Sequence, residues 1–289
     1  MTSQFFIVRS VRPSCGRNRD QEFHNIAIKA STKSRLKPSA AYARAESTSW
    51  KSCSHRRDTC LDEVSRADIS RVDGITRDPA GVRRLMASLG RNTATQATLK
   101  TLGVDVGGGE AMLHPQTVKS YLGALSRLFV VEDLPAWRPH LRSRAELRRT
   151  PKRYFTDPSL AVAALRSNRD QLMGELSYFG RLFESLVTRD LSVYAQANDW
   201  QLSHYRDSSG LEVDLILTSL DYRGWAAAEV KLGGTELIEQ GVKSLRRLRE
   251  RVDPDRMGEP SKLMVITAGG YGFEYPDGIA VVPITALGP

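Results

Sequence analysis

Two predicted β-strands carry charged side chains where a buried strand is expected to be apolar. The first strand, residues 211–218, contains Asp214, and the second, residues 224–232, contains Glu229 and Lys231. Side chains two positions apart in a strand point to the same side of the sheet, so Glu229 and Lys231 share one face. A buried carboxylate or amine is costly unless it is paired or bound to a metal. We therefore expect Asp214, Glu229 and Lys231 to meet at one point.

The alternation of side chains along the first strand predicts which residues accompany Asp214. A regular strand would place Glu212, Asp214 and Ile216 on one face. The opposite face would then hold the apolar residues Val213, Leu215 and Leu217.

These residue types suit metal-assisted hydrolysis of a phosphodiester. Asp214 and Glu229 are hard oxygen ligands that can hold Mg²⁺ while the ion keeps several waters. Lys231 is predicted to orient the attacking water or to stabilise the developing negative charge. Glu184, on the preceding helix, is predicted to supply a further metal ligand or to hold a metal-bound water. Arg206 is a candidate phosphate contact, because its planar guanidinium suits bidentate binding.

A structural interpretation of the same residues stays open. Glu229 and Lys231 would then form an ion pair and Asp214 would cap a turn, without metal and without a reaction.

The elements that would position these residues alternate between helix and strand. Residues 171–198 have the apolar spacing of one long helix. After it come three predicted strands, a helix and two further strands, at 200–206, 211–218, 224–232, 235–252, 262–268 and 279–284 respectively. This order predicts an α/β domain, residues 170–289, whose central mixed sheet is flanked by helices.

A small helical module is predicted at residues 59–133. Apolar residues at helical spacing occur in 61–72, 79–90 and 117–128, and residues 129–131 are typical of a short strand. Helices followed by a strand indicate a winged-helix-like module, which would either dock on DNA or pack against its neighbour.

Residues 134–169 are interpreted as a basic connector between these two parts. Seven basic side chains and one acidic side chain lie between Leu134 and Arg153, together with Trp137. Basic residues interleaved with aromatic ones suit phosphate contact and base stacking. A solvated connector explains the same composition, and both interpretations stay open.

The net charge of +9 is concentrated at the head of the chain. Residues 1–60 hold 12 of the 42 Lys and Arg side chains but only 4 of the 33 Asp and Glu side chains. Residues 1–58 lack a helical or strand period and are predicted to be disordered, with a basic nucleic-acid-binding arm as the alternative. The rest of the chain is close to neutral, so the charge is weak support for DNA binding.

Cysteine usage and hydropathy favour a cytoplasmic protein without a membrane partner. Cys15, Cys53 and Cys60 have neither the count of a disulfide framework nor the spacing of a zinc site. No apolar run approaches the ~20 residues that cross a bilayer, and the first residues lack the features of a secretory signal.

Several short runs together resemble a known superfamily. Phe183-Glu184, Tyr205-Arg206, Glu212-Val213-Asp214 and Glu229-Val230-Lys231 are similar to motifs of the PD-(D/E)xK nucleases. The runs Tyr121–Leu125, Thr156–Pro158, Gly180–Val187 and His204–Asp207 are similar to a second family. Through them, residues 60–289 more closely resemble the C-terminal domain of unknown function of bacterial and archaeal AAA-type ATP-binding proteins. The resemblance implies a winged-helix-like part followed by a restriction-endonuclease-like domain.

The chain lacks the nucleotide-binding loop that such ATP-binding proteins carry. That loop ends in Gly-Lys-Ser/Thr and cradles phosphates on its backbone amides. No Gly-Lys dipeptide occurs in the 289 residues, so we expect no ATP site and interpret the chain as a truncated or separately encoded part of a longer protein.

Two classes of function are therefore predicted. The first is a Mg²⁺-dependent nuclease-like or DNA-interacting domain. The alternative is a non-catalytic module that binds a protein or a nucleic acid, or a remnant of a longer ATP-binding protein. DNA and a protein are the candidate partners.

Overall fold

The computed structural model describes residues 58–107, 112–137, 150–221 and 224–288. The described residues form two units, one comprising residues up to 134 together with 150–186, and the other comprising 135–137 together with residues from 187 onward. The predicted basic head, except residue 58, and residues 138–149 of the predicted connector lie outside the described ranges. None of the helices in these ranges is both long and apolar enough to span a membrane.

Helices build most of the first unit. Residues 58–71 are helical (α1), with a wide π-helical turn at Val64–Asp68. The later helices are Pro79–Arg91 (α2), Leu99–Gly107 (α3), Pro115–Arg127 (α4), Pro158–Ala164 (α5) and Arg169–Gly174 (α6). Their apolar faces bury one shared core. The start of α2 illustrates why these helices begin where they do: the Asp78 carboxylate accepts hydrogen bonds from the backbone N–H groups of Ala80 and Gly81 at 3.0 and 2.7 Å.

A two-stranded antiparallel sheet completes the first unit. Its strands are Val131–Leu134 (β1) and Lys152–Phe155 (β2). The strand predicted at residues 129–131 therefore begins later, because Phe129 adopts a φ of +55° and ends the preceding turn. β2 lies in the segment interpreted as a connector, and its four residues are buried.

The long helix predicted at residues 171–198 is two helices. In α6, the Asn168 and Gln171 side chains cap each other's backbone N–H groups at 2.9 Å. Glu175 leaves the helical region, with φ −122° and ψ 71°, and the next helix is Leu176–Ala197 (α7). The apolar spacing continues through the break, which is why the pattern alone indicates one helix.

A six-stranded mixed sheet forms the second unit and confirms the predicted α/β class. In chain order its strands are Trp200–Arg206 (β3), Glu212–Ser219 (β4), Trp225–Lys231 (β5), Lys262–Thr267 (β6), Phe273–Glu274 (β7) and Ile279–Pro283 (β8). Their order across the sheet is β3-β4-β5-β6-β8-β7. The first three are antiparallel, β5, β6 and β8 are parallel, and β7 is antiparallel to β8.

Helix α8, Thr235–Arg251, crosses from β5 to β6 and packs on one face of this sheet. Its residues Val242, Leu245 and Leu248 are fully buried in the same apolar cluster as Val265 of β6. The short helix Pro254–Met257 (α9) follows α8, and a 3₁₀ turn, Ile284–Ala286, follows β8.

The predicted alternation along β4 is wrong at its centre because the strand contains a β-bulge. Ser203 pairs with Ile216 but Tyr205 pairs with Val213, so β4 has one more residue than β3 in this interval. The extra residue reverses the alternation, and Val213 and Ile216 both join the cluster under α8. Val213 and Ile216 therefore share a face, whereas the regular alternation would separate them.

The edge of β3 is covered by residues 135–137. Ala136 bridges to His204, with the Trp137 N–H donating to the His204 carbonyl at 2.7 Å. The indole of Trp137 is 4% exposed, and its Nε1–H donates to Thr218 Oγ1 at 2.9 Å. Its ring lies 5.2 Å from that of Trp225, so Trp137 is part of the core of the second unit.

Candidate functional site

The site predicted from sequence lies where β4 and β5 separate. The last backbone pair between these strands is Leu215 with Ala228. Asp214, the residue before Leu215 in the chain, lies within the bulge. Bulges change the direction of a side chain, and here the carboxylate is directed toward β5.

Asp214 takes the place of a backbone partner for β5. Its Oδ2 accepts a hydrogen bond from the Val230 N–H at 2.9 Å. This bond fixes the carboxylate against the strand that carries the other two predicted residues.

Lys231 brings both carboxylates of the site together. Its Nζ lies 2.5 Å from Glu229 Oε2 and 3.7 Å from Asp214 Oδ2. The side chains of Glu229, Asp214 and Lys231 are 4%, 14% and 22% exposed. The structure therefore brings the three predicted catalytic residues to one partly buried point, with both acids within 4 Å of one ammonium nitrogen.

Helix α8 approaches Glu229 closely because residue 241 is glycine. A Cβ at Gly241 would lie 3.3 Å from Glu229 Cβ and 3.2 Å from Val265 Cγ2. Contacts of this length are tighter than ordinary van der Waals contacts, so the missing side chain lets the helix rest on β5 and β6 beside the site.

The turn between β3 and β4 holds the strand that carries Asp214. Asp207 Oδ1 accepts from the backbone N–H groups of Ser209 and Leu211 at 2.8 and 3.1 Å, and Gly210 supplies the required φ of +84°. Burial raises the pKa of Asp207, but the hydrogen bonds from Ser209 and Leu211 outweigh it and leave the pKa below its ordinary value.

The donor set of this site fits a hard divalent cation. Mg²⁺ is commonly bound through one or two carboxylates and keeps several waters. Asp214 and Glu229 would be the protein groups that hold the ion. Within the described ranges, no group of three or more His, Cys, Asp or Glu side chains could hold a metal ion.

Glu184 lies on α7, in the part of that helix that belongs to the first unit. Its Oε1 accepts hydrogen bonds from Lys152 Nζ and Tyr154 Oη, each at 2.9 Å. The role of Glu184 as a metal ligand stays a prediction.

Sequence reasoning missed the buried position of Lys152, which is 1% exposed. The sequence signal that could have indicated this burial is the spacing of Lys152 and Tyr154, two residues apart in a short strand. That spacing puts both side chains on the face that meets Glu184.

Arg206, the candidate phosphate contact, lies at the end of β3. Its Nη1 is 3.9 Å from Glu212 Oε2, and its side chain is 48% exposed. An ion pair this exposed contributes little to stability. The phosphate contact stays a prediction.

The two halves of the chain match two different family models. Residues 38–171 match a domain of unknown function, DUF8612, and residues 179–287 match another, DUF4143. The second match contains Glu184, Arg206, Asp214, Glu229 and Lys231. No curated protein and no solved structure matches the chain.

Proposed function

We propose that the second unit hydrolyses phosphodiester bonds in DNA with the help of Mg²⁺. The observation that carries this proposal is the convergence of Asp214, Glu229 and Lys231 at the end of β4 and β5. Two carboxylates and one amine at one partly buried point are the groups that metal-assisted phosphodiester hydrolysis uses.

Each residue has a part that follows from its position. Asp214 and Glu229 would hold the cation, which when bound would supply charge neutralisation at the scissile phosphate and a lowered pKa of a bound water. Lys231, between the two acids, holds the attacking water or donates to the phosphoryl oxygen on which negative charge develops. Arg206 contacts a neighbouring phosphate of the backbone.

The metal-site proposal explains the composition of this trio better than a structural ion pair does. A buried ion pair is a poor source of stability, since desolvation offsets most of the attraction. Glu229 with Lys231 would already be a complete pair, and Asp214 adds a second carboxylate at 3.7 Å from the same amine.

The topology supports the likeness to the restriction-endonuclease-like fold. A helix, three antiparallel strands, a crossover helix and a parallel strand follow one another as α7, β3, β4, β5, α8 and β6. We infer that the second unit is a PD-(D/E)xK-type domain of the kind that accompanies AAA-type ATP-binding proteins.

Plasmid nicking tests the proposed activity. The wild type should convert supercoiled DNA to open circles with Mg²⁺ or Mn²⁺ and should stop in excess chelator. Asp214→Asn, Glu229→Gln and Lys231→Met should each lower the rate by about 10²-fold or more, the usual effect of removing one charge-stabilising group. Lys262→Met is the matched control, because Lys262 pairs with Glu274 at 2.9 Å on the same sheet. Equal rates for wild type and Lys231→Met would refute the assignment.

Calorimetry with Mn²⁺ separates this function from the alternative of a non-catalytic binding module. Heat of binding that disappears in Asp214→Asn supports the metal site. Binding of DNA or protein with no heat from millimolar Mn²⁺ would favour the binding module.

A further inference from the structure

A buried hydroxyl group lies next to the proposed site and is not used by it. Thr267, the last residue of β6, is 1% exposed. Its Oγ1 is buried and has no hydrogen-bond partner among the residues that the structure describes. Leaving a buried hydroxyl unsatisfied destabilises the fold, so this position is costly unless the hydroxyl meets a partner.

The register of the sheet places Thr267 beside Lys231. The parallel strands β5 and β6 pair Glu229 with Val265 and Lys231 with Thr267. Val265 faces α8, and the register is regular to the end of β6. Thr267, two residues later, therefore faces the same side as Glu229 and Lys231.

The neighbouring strands show where Thr267 lies relative to the carboxylates of the site. On the other side of β6, Thr267 pairs with Pro283, which has no polar side-chain atom to offer. Asp214 lies on β4, on the far side of β5 from β6. Going across the sheet, Asp214 on β4 and Thr267 on β6 thus flank β5, which carries Glu229 and Lys231.

An amine and a hydroxyl together suit an oxyanion. Lys231 carries only donors, and a threonine hydroxyl can donate one hydrogen bond. Donors held in a water-poor site stabilise a phosphoryl oxygen without having to reorganise. The hydroxyl and the ammonium can therefore bind two oxygens of one phosphoryl group.

We propose that Thr267 is a substrate-binding residue whose hydroxyl donates to one oxygen of a phosphoryl group that Lys231 also contacts. This proposal rests on the proposed function, because it takes Lys231 to act both beside the metal-binding carboxylates and on the phosphoryl group.

Substitution of Thr267 tests the proposal through binding and stability together. Thr267→Val keeps the shape and removes the hydroxyl. In urea unfolding without ligand this variant should be at least as stable as the wild type, because it removes an unsatisfied buried group. In calorimetry with thymidine 5′-monophosphate and Mg²⁺, its Kd should rise about tenfold, which corresponds to 1.4 kcal/mol. Thr267→Ser, which restores the hydroxyl, should bind the probe as the wild type does.

Two buried threonines provide matched controls. Thr218 accepts the hydrogen bond of the Trp137 indole, so Thr218→Val should be less stable than the wild type. Thr93 in the first unit is also buried with a hydroxyl that has no partner in the described ranges, so Thr93→Val should be stabilised and should bind the probe unchanged.

Three results would overturn the proposal. They are a wild type that does not bind the probe, a Thr267→Val variant that binds it as tightly as the wild type, and a loss of stability in Thr267→Val as large as in Thr218→Val. Other results would separate a failure of the proposed function from a failure of this proposal. Thr267-dependent binding of the probe without plasmid nicking would keep the phosphate subsite and remove the nuclease, whereas nicking with an unchanged KM in Thr267→Val would remove only the subsite.

Discussion

Removal of the Trp137 side chain should destabilise the second unit, although this residue precedes the α/β part of the sequence by more than 30 positions. Trp137 is 4% exposed and packs against Trp225 at 5.2 Å and Tyr205 at 6.1 Å between ring centroids. A fragment that begins at residue 170, the boundary predicted from sequence, would lack it. The prediction therefore tests which residues the second unit needs.

The expected magnitude follows from the contacts of the indole. Truncating a buried tryptophan to alanine costs about 3–5 kcal/mol. The hydrogen bond from Nε1 to Thr218 Oγ1, 2.9 Å long, adds about 1 kcal/mol. Trp137→Ala should thus lower the free energy of unfolding by about 4–6 kcal/mol, and Trp137→Phe, which keeps most of the packing, by about 1–3 kcal/mol.

Urea unfolding of the full chain, followed by far-ultraviolet circular dichroism, measures these changes. Trp200→Phe, at a half-buried position of β3, is the control and should cost less than Trp137→Phe. A double-mutant cycle of Trp137→Phe with Thr218→Val isolates the hydrogen bond and should give a coupling of about 1 kcal/mol. A cost below about 1 kcal/mol for Trp137→Ala, or a coupling of zero, would refute this account of the core.

Two further predictions concern one charge pair and one glycine. In the first unit, hydrogen bonds from Arg77 lower the pKa of Asp73 from 3.8 to about 2. The Asp73 carboxylate therefore stabilises the fold at pH values above its ordinary pKa, and this stabilisation is lost as the pH falls toward about 2. When urea unfolding is repeated from about pH 5 to about pH 2.5, Asp73→Asn should lose less stability than the wild type. Equal losses would contradict the pairing. Alanine is favoured over glycine in a helix by about 1 kcal/mol. Gly123→Ala on α4, whose new Cβ would meet nothing within 4 Å, should gain that amount of stability in thermal or urea unfolding. Gly241→Ala, whose new Cβ would lie 3.3 Å from Glu229 Cβ, should gain less or lose stability. Equal gains would show that α8 can move away from β5 without a loss of stability.

The strands of the second unit could be predicted because their signals are local. β3 occupies the predicted residues 200–206, and β4 and β5 begin one residue later than predicted. Buried runs and alternation are written in consecutive residues, so the class and order of the elements follow from the sequence.

The bulge in β4 could not be predicted in the same way. It arises from the pairing between Ser203 with Ile216 and Tyr205 with Val213, and no residue type in β4 marks it. The register of β4 against β5, which pairs Leu215 with Ala228, brings Asp214 beside Glu229 and Lys231. The sequence therefore predicts the members of the trio, while the pairing of the strands determines how Asp214 reaches it.

Contacts between residues that are distant in the chain could not be predicted from the sequence either. Trp137 reads as an aromatic residue in a basic stretch, and Lys152 reads as one more basic residue there, yet both are buried. No sequence pattern marks Thr267 as a site residue, and only its pairing with Lys231 across the sheet places it beside the site. Long-range pairing decides the environment of all three.

The position of a bound cation tests the central claim most directly. Crystals grown with Mn²⁺ should show an anomalous peak between the carboxylates of Asp214 and Glu229, with metal–oxygen distances near the ~2.1 Å typical of Mg²⁺ sites, and the peak should be lost in Asp214→Asn. Crystals of the wild type in millimolar Mn²⁺ without a peak beside these two residues would contradict the account.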